Sequence, residues 1–345
     1  MSRHTIFALP FVLFFAPLFA LTAPVFAQNS SATPDACTAI SLQSPPASPV
    51  VIRYGLTGGG EEPLALLWAD KEAYPGHGRF YQLAPQRFAP NDRMTAVQAG
   101  HLDAGSVTLP ALLMAVRVGI PIRAVASIVE TNDEDNQGAF AVLETSDITD
   151  ASQLAGKRVS IMGPNTISEY WIKSAARQAG LPGDSVRFVS LPLPANEQAL
   201  RNKQVDVAWL ARQFLARATA AGGIRILLRP IQTTGQAHPT TVAFFTRAFV
   251  EQHPQAYCAW RRDYQQALAN WRHEREQLYA KLIDAKYVTP VSAAAGPDGG
   301  RAPGGRLHLR DIDATIADML ATGFLPPGRL MKAGDLVLPG YALTR

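Results

Sequence analysis

Two stretches far apart in the chain follow one pattern, Val97-Gln98-Ala99-Gly100-His101-Leu102-Asp103-Ala104 and Leu200-Arg201-Asn202-Lys203-Gln204-Val205-Asp206-Val207. Each reads as a helix end, a polar turn, an apolar residue, an aspartate, and a small or branched residue entering a strand. A chain that repeats such a unit is expected to build two similar α/β lobes whose strand ends face a shared cleft. The surrounding periodicity agrees. Strands read at Val50–Tyr54, Phe80–Leu83, Leu102–Val107 and Ile122–Val129 alternate with helices near Met94–Ala99 and Leu109–Val116. The alternation resumes with strands at Gly138–Leu143, around Val159, at Val186–Ser190 and at Val205–Trp209, with a helix from Thr166 and a short one at Glu197–Arg201. Such alternation predicts largely parallel sheets covered on both faces, with the functional loops following the strands.

Two of those loops stand out. Leu154 to Gly180 reads as a short buried strand, a Gly163-Pro164 break, and a helix whose start carries Asn165, Thr166 and Ser168. A helix N-terminus leaves backbone N–H groups unpaired beside partial positive charge, a seat for a carboxylate, a sulfonate or another polar head. The plainer reading is a capped helix. After the first strand, Gly55-Leu56-Thr57-Gly58-Gly59-Gly60 is a loop whose missing side chains let a ligand approach the backbone, or simply make the turn. Its spacing matches neither the dinucleotide fingerprint nor a phosphate loop, which argues against a nucleotide. Glu61-Glu62-Pro63 then opens a helix through Trp68 to Tyr74.

The first 27 residues combine Arg3, an apolar run from Ile6 to Leu21, and small residues near Ala27, the pattern of a cleaved secretory signal. A membrane anchor is the alternative, but Pro10, Pro17 and Pro24 interrupt the run, and no second stretch approaches the ~20 apolar residues that span a bilayer. Residues 28–49, rich in Ser, Pro, Ala and Thr, read as a disordered leader over the surface. The rest of the chain has the length of roughly two ordinary domains. Cys37 and Cys258 are able to pair in an oxidising compartment, or Cys258 is a free buried thiol. A net charge of +4 is too small and too scattered to argue for nucleic acid.

Two polar segments, Glu130–Gln137 and Ile231–Pro239, read as the crossings between lobes and therefore as a hinge. These crossings put residues 50–136 with 240–345 in the first lobe and 137–239 in the second. Pro254–Lys286 is predicted helical, with Tyr257, Trp260, Tyr264, Leu268, Trp271 and Leu278 as a packed face. Pro290–Arg306 is a loop of low complexity, Leu309–Thr322 a helix, and the tail is expected to pack on the first lobe. The chain has no Gly-x-Ser-x-Gly elbow and no His-Glu-x-x-His, and its His and Cys residues lack metal-like spacing. Neither catalysis, nor a metal, nor a cofactor is expected.

Taken in order, Leu66–Glu72 after the glycine loop, Ala99–Gly105, Leu154–Val159, Asn165–Tyr170, Val205–Trp209 and Phe244–Pro254 make the chain resemble a known family. It is similar to the extracytoplasmic solute-binding proteins of ABC transporters in the nitrate, sulfonate and taurine group, which share their domain with thiamine-pyrimidine precursor proteins. The resemblance covers Val50 to about Tyr341. It implies a type II periplasmic-binding-protein fold, with two α/β lobes around a cleft, two hinge crossings and a C-terminal helical segment returning to lobe one. It further implies capture of a small-molecule ligand and its delivery to ABC permease and ATPase subunits; with the export signal, the protein is expected in the periplasm, as a monomer. By that similarity the ligand would touch Thr57, Gly58, Gly59, Ser106, Thr108, Asn165, Thr166, Ser168, Trp209 and, at the hinge, His238. Ser106 and Thr108 read equally as helix caps, Trp209 as core, and His238 as a turn residue. Glu61 and Glu62 near the cleft mouth would repel a small anion such as nitrate, or they point outward or serve only the helix dipole; an organic ligand with one polar end, sulfonate-, taurine- or pyrimidine-like, fits better. A pyrimidine-precursor synthase-like enzyme on the same fold, or a binding module serving a sensor, is the alternative.

Overall fold

The computed structural model describes Met1 and residues 35–57, 59–88, 90–132, 137–293, 299–326, 328 and 330–344. The signal segment beyond Met1, leader residues 28–34, Gly58, residues 133–136 of the first crossing and 294–298 of the low-complexity loop lie outside them.

The first half of the chain runs β1 (Val50–Leu56), α1 (Glu62–Ala69), β2 (Tyr81–Arg87), α2 (Pro90–Gln98), β3 (Ala104–Thr108), α3 (Leu109–Arg117) and β4 (Ile122–Thr131). Pro63 and Pro110 stand in the first turns of α1 and α3, where a missing N–H costs nothing. The second half begins with β5 (Gly138–Leu143), β6 (Arg158–Ile161), α4 (Ile167–Gln178), β7 (Arg187–Ser190) and α5 (Asn196–Arg201). It continues through β8 (Ala208–Ala211), α6 (Arg212–Ala221), β9 (Ile224–Leu228) and α7 (Pro230–Thr234). The chain then returns in β10 (His238–Thr246), followed by α8 (Arg247–Gln252), α9 (Pro254–Asp284), α10 (Pro290–Ala293), α11 (Leu309–Ala321) and α12 (Ala333–Leu336).

The first sheet has the order β2-β1-β3-β10-β4. The second has β8-β5-β9 and β6-β7, joined by a parallel bridge between Val159 and Val207. With that bridge the strand order is the same in both halves, β6, β7 and β8 standing where β1, β2 and β3 stand. The expectation of largely parallel sheets needs one correction. β10 runs antiparallel to β3 and β4, and β5 antiparallel to β8 and β9. Each is the strand that arrives from the other half, so it enters its sheet from the opposite direction.

Gln137, at the end of the first crossing, ties β4 to β10. Its Nε2 donates to Thr131 Oγ1 at 3.4 Å and its Oε1 accepts from Thr240 Oγ1 at 2.9 Å. α9 packs against α1 with Tyr257, Trp260 and Tyr264 fully buried, and truncating one such aromatic costs about 3–5 kcal/mol. The tail lies on β4, with the amides of Leu338 and Leu343 donating to Ala124 and Val125. α11 instead reaches the second half, where Asp318 accepts from Tyr170 Oη at 2.9 Å and Ser174 Oγ at 2.8 Å.

The start of the described chain is anchored. Cys37 and Cys258 form a disulfide with their Cα atoms 5.5 Å apart, settling the choice that the sequence left open. Beside it both oxygens of Asp35 accept from Arg261 Nη2, at 2.8 and 2.7 Å, and the Ala36 amide donates to Gly340. Part of the segment read as a leader therefore belongs to the first half's packing.

Candidate functional site

A cavity of about 590 Å³ opens between the two sheets where strand ends converge. β1 delivers Thr57, Gly59 and Gly60 to its wall, β3 delivers Thr108, and β10 delivers Thr241. From the other half come Met162 and Ile167 around the start of α4, then Trp171, Trp209 and Arg212.

The β1 loop is closed by a carboxylate. Glu61 is fully buried and its Oε1 accepts from the Thr57 amide at 2.8 Å, while Thr57 Oγ1 donates to the Gly59 carbonyl at 3.0 Å. Gly60 sits at φ +78°, where a Cβ would lie 2.8 Å from Val129 Cγ2, so no other residue fits without displacement. At Gly59 an added Cβ would meet nothing within 4 Å, leaving that backbone open to the cavity.

The expectation that Glu61 and Glu62 repel anions is corrected by their partners. Glu61 also accepts from Tyr287 Oη at 3.3 Å. Glu62 is held by Arg301 at 3.0 Å and, across the cleft, by Arg212 at 3.4 Å, with all three side chains largely buried. Buried carboxylates persist only with such donors, and here the arginines meet their charge.

Trp209 proves to be core and cleft wall at once. It is 3% exposed, it borders the cavity, and the rings of Trp171 and Phe140 stand 5.0 Å away on either contact. His238 lies one layer behind. Its Nε2 accepts from Trp171 Nε1 at 3.2 Å, which leaves Nδ1 to donate to the Gln236 carbonyl at 3.1 Å. Burial pushes its pKa down to about 4, against the pull of the Gln236 carbonyl and of Asp318, so the ring is neutral and holds Trp171 in place.

The remaining predicted residues divide. Thr108 borders the cavity. Ser106 is fully buried with its hydroxyl 2.9 Å from Tyr54 Oη, outside the lining. Thr166 is the N-cap of α4, and its Oγ1 donates to the Gly163 carbonyl at 2.6 Å with Ser168 Oγ 3.0 Å away. Ser168 Oγ accepts from the Met162 amide at 3.1 Å, and the exposed Asn165, at φ +60°, donates its amide to Glu169 at 2.8 Å. These groups tie the turn together, as short polar side chains near a helix start do, and Ile167 forms the wall.

Sequence reasoning missed Gln137, Trp171, Arg212 and the run Lys286 to Thr289. Arg212 had a usable signal, since it directly follows β8 and loops after strands were the ones to watch. Trp171 carried none, because a tryptophan inside a helix looks like core. Among the described residues no cluster of three or more His, Cys, Asp or Glu is placed to hold a metal, and no helix is long and apolar enough to cross a membrane.

A family model described as NMT1/THI5 like matches residues 85–274. The fold is similar to that of the periplasmic aliphatic sulphonate binding protein SsuA from Escherichia coli, at TM-score 0.66 and 20% identity, covering 84% of this chain and 92% of that one. It is also similar to the alkanesulfonate-binding protein SsuA from Xanthomonas axonopodis pv. citri bound to MOPS, at TM-score 0.66 and 17% identity over 84% and 99% of the two chains. The periplasmic nitrate-binding protein NrtA from Synechocystis PCC 6803 aligns at TM-score 0.60 and 13% identity over 82% and 84%. No curated protein matches the chain by sequence. At these identities the likeness establishes the fold, the periplasmic binding protein fold.

Proposed function

Since the chain belongs to the NMT1/THI5-like family, we propose that it is the extracytoplasmic solute-binding component of an ABC importer. The observation that carries this reading is a cavity of about 590 Å³ whose walls come from both halves, a size suited to a small organic molecule. A solute touching both lobes stabilises the closed arrangement by the contacts it makes only there, so the closed population rises with occupancy. A permease can then recognise the closed form. No acid, base or nucleophile is needed, and the protein releases what it captured unchanged.

The solute we assign is sulfonate-, taurine- or pyrimidine-like, with an apolar or heteroaromatic body against Trp209 and Trp171 and one polar end among Thr57, Thr108 and Arg212. We assign residues 50–136 and 240–345 to the first lobe and 137–239 to the second, with motion about the two crossings. Gly58 joins the site as the neighbour of Gly59. Residues 1–27 act as the export signal, and the Cys37–Cys258 disulfide supports an oxidising compartment such as the periplasm. The working form is a monomer.

Mass spectrometry of the protein purified under native conditions tests the reading. A small organic molecule released on denaturation, and returned unchanged after incubation, is the expected result. Conversion of that molecule by the protein alone contradicts it and favours an enzyme on the same fold.

A further inference from the structure

Three described residues other than glycine adopt the left-handed backbone region: Asn165 at φ +60°, Lys203 at φ +56° and Lys286 at φ +57°. Asparagine tolerates that region, and Lys203 holds an exposed turn whose carbonyl accepts from Arg158. Lys286 differs from both in its place, because it borders the cavity.

The end of α9 explains how it gets there. The Lys286 amide donates to the Ile283 carbonyl and the Tyr287 amide to Leu282, both at 2.9 Å, which is the hydrogen-bond pair of a helix stop with its second residue left-handed. Glycine is the usual occupant of that position, since a Cβ is strained there. Tyr287 then pins the segment. It is buried, its hydroxyl donates to Glu61, Trp68 packs edge-on at 5.7 Å, and the Arg87 guanidinium lies 5.2 Å over its ring. The stop is thus rigid, and the side chain it carries at the cavity wall is a long cation where none is needed for the turn.

We infer that Lys286 is a specificity-determining residue that selects solutes bearing an acidic group over their neutral counterparts. This rests on the solute-binding reading above. An ammonium on a fixed backbone in the same cavity wall adds a cation for the solute's acidic end beside Thr57, Thr108 and Arg212, with the planar or apolar body against Trp209, and a charge-assisted hydrogen bond there discriminates by charge.

The test compares wild-type protein with Lys286→Gly, using matched probes: benzoate with benzamide, and benzenesulfonate with benzenesulfonamide, each titrated calorimetrically alongside a thermal melt. Wild type is expected to favour the acid of each pair, and Lys286→Gly to lose about tenfold or more in affinity for the acids while binding the amides as before. Its melting temperature is expected to match or exceed the wild type, since glycine relieves the left-handed strain. A Lys286→Met variant, which keeps side-chain length without charge, should lose the acid preference equally. Retention of the preference in both variants, or tighter binding of the amides by wild type, overturns the assignment while leaving a solute-binding cleft intact. No binding of any probe overturns the assignment and leaves the solute-binding reading to its own test by mass spectrometry.

Discussion

The two halves repeat each other most closely at the sheet ends away from the cleft. In the first, the Arg53 amide and Nε both donate to Asp103 Oδ2, at 3.0 and 2.8 Å, and the guanidinium reaches the Gly100 carbonyl at 2.6 Å. In the second, the Arg158 amide and Nε donate to Asp206 Oδ2, at 2.8 and 3.1 Å, and the guanidinium reaches the Lys203 carbonyl at 2.8 Å. The turn residues match as well, Gly100 at φ +73° and Lys203 at φ +56°. At the cleft the likeness ends. One half offers a glycine loop closed by Glu61, and the other offers paired tryptophans and Arg212. A twice-used scaffold keeps its clamps where they hold strands together and varies the edges that face a ligand.

The sharpest way to break this contrast is at the ion pairs joining the cleft walls. Glu62→Ala leaves the buried Arg212 and Arg301 without the carboxylate they share, and is expected to cost about 3–5 kcal/mol in urea unfolding. A loss below about 1 kcal/mol would mean that the two walls are not coupled there.

Acid titration separates a half-buried carboxyl from a buried imidazole whose shifts have opposite sign. Burial, reinforced by Asp311 and opposed by Ser127, raises the Glu130 carboxyl from 4.5 to about 7. The folded state thus keeps a proton that the unfolded chain has released. Its contribution is full below pH 4.5 and lost as pH rises through about 7. His238, lowered from 6.5 to about 4, contributes fully above pH 6.5 and is lost as pH falls through about 4. Glu130→Gln should therefore stabilise the protein by about 2–3 kcal/mol at pH 8 and by little at pH 4.5. With Glu130 removed, His238 contributes to the remaining decline between pH 6.5 and 4 together with carboxylates held low by arginines, Asp206 and Glu197, and equilibrium unfolding across that range measures their sum.

The clamps predict a smaller, ordered pair of effects. Asp103→Ala and Asp206→Ala each remove hydrogen bonds to an amide and a guanidinium, and each should cost about 1–2 kcal/mol. Asp103 should cost more, because its side chain is 13% exposed against 30% for Asp206. The reverse order in chemical denaturation would show that the two turns are alike in geometry only. Smallest is Thr166→Ala with Ser168→Ala, expected to lower stability by about 1 kcal/mol by loosening the α4 turn.

The repeat itself was legible because an aspartate after a polar turn and before a strand has one geometric use, closing that turn onto a neighbouring strand. The alternation of strands and helices placed β3, β5 and α9 closely for the same reason, as apolar periodicity reports burial directly. Strand direction was not legible, since a strand that arrives from the other lobe has no local mark of its orientation. At the cavity, Thr166 and Ser168 pointed to a helix that lines it, but their hydroxyls are consumed by the turn that opens that helix. Cys37 and Cys258 stayed undecided for a different cause, because separation along the chain carries no distance.

The most direct measurement places spin labels on introduced cysteines at the exposed positions Val51 in the first sheet and Ile226 in the second, the native cysteines being paired. Saturating the cleft with the solute recovered from the purified protein should move the distance distribution to a distinct, narrower population. A distribution unchanged at full occupancy contradicts closure of two lobes around a solute.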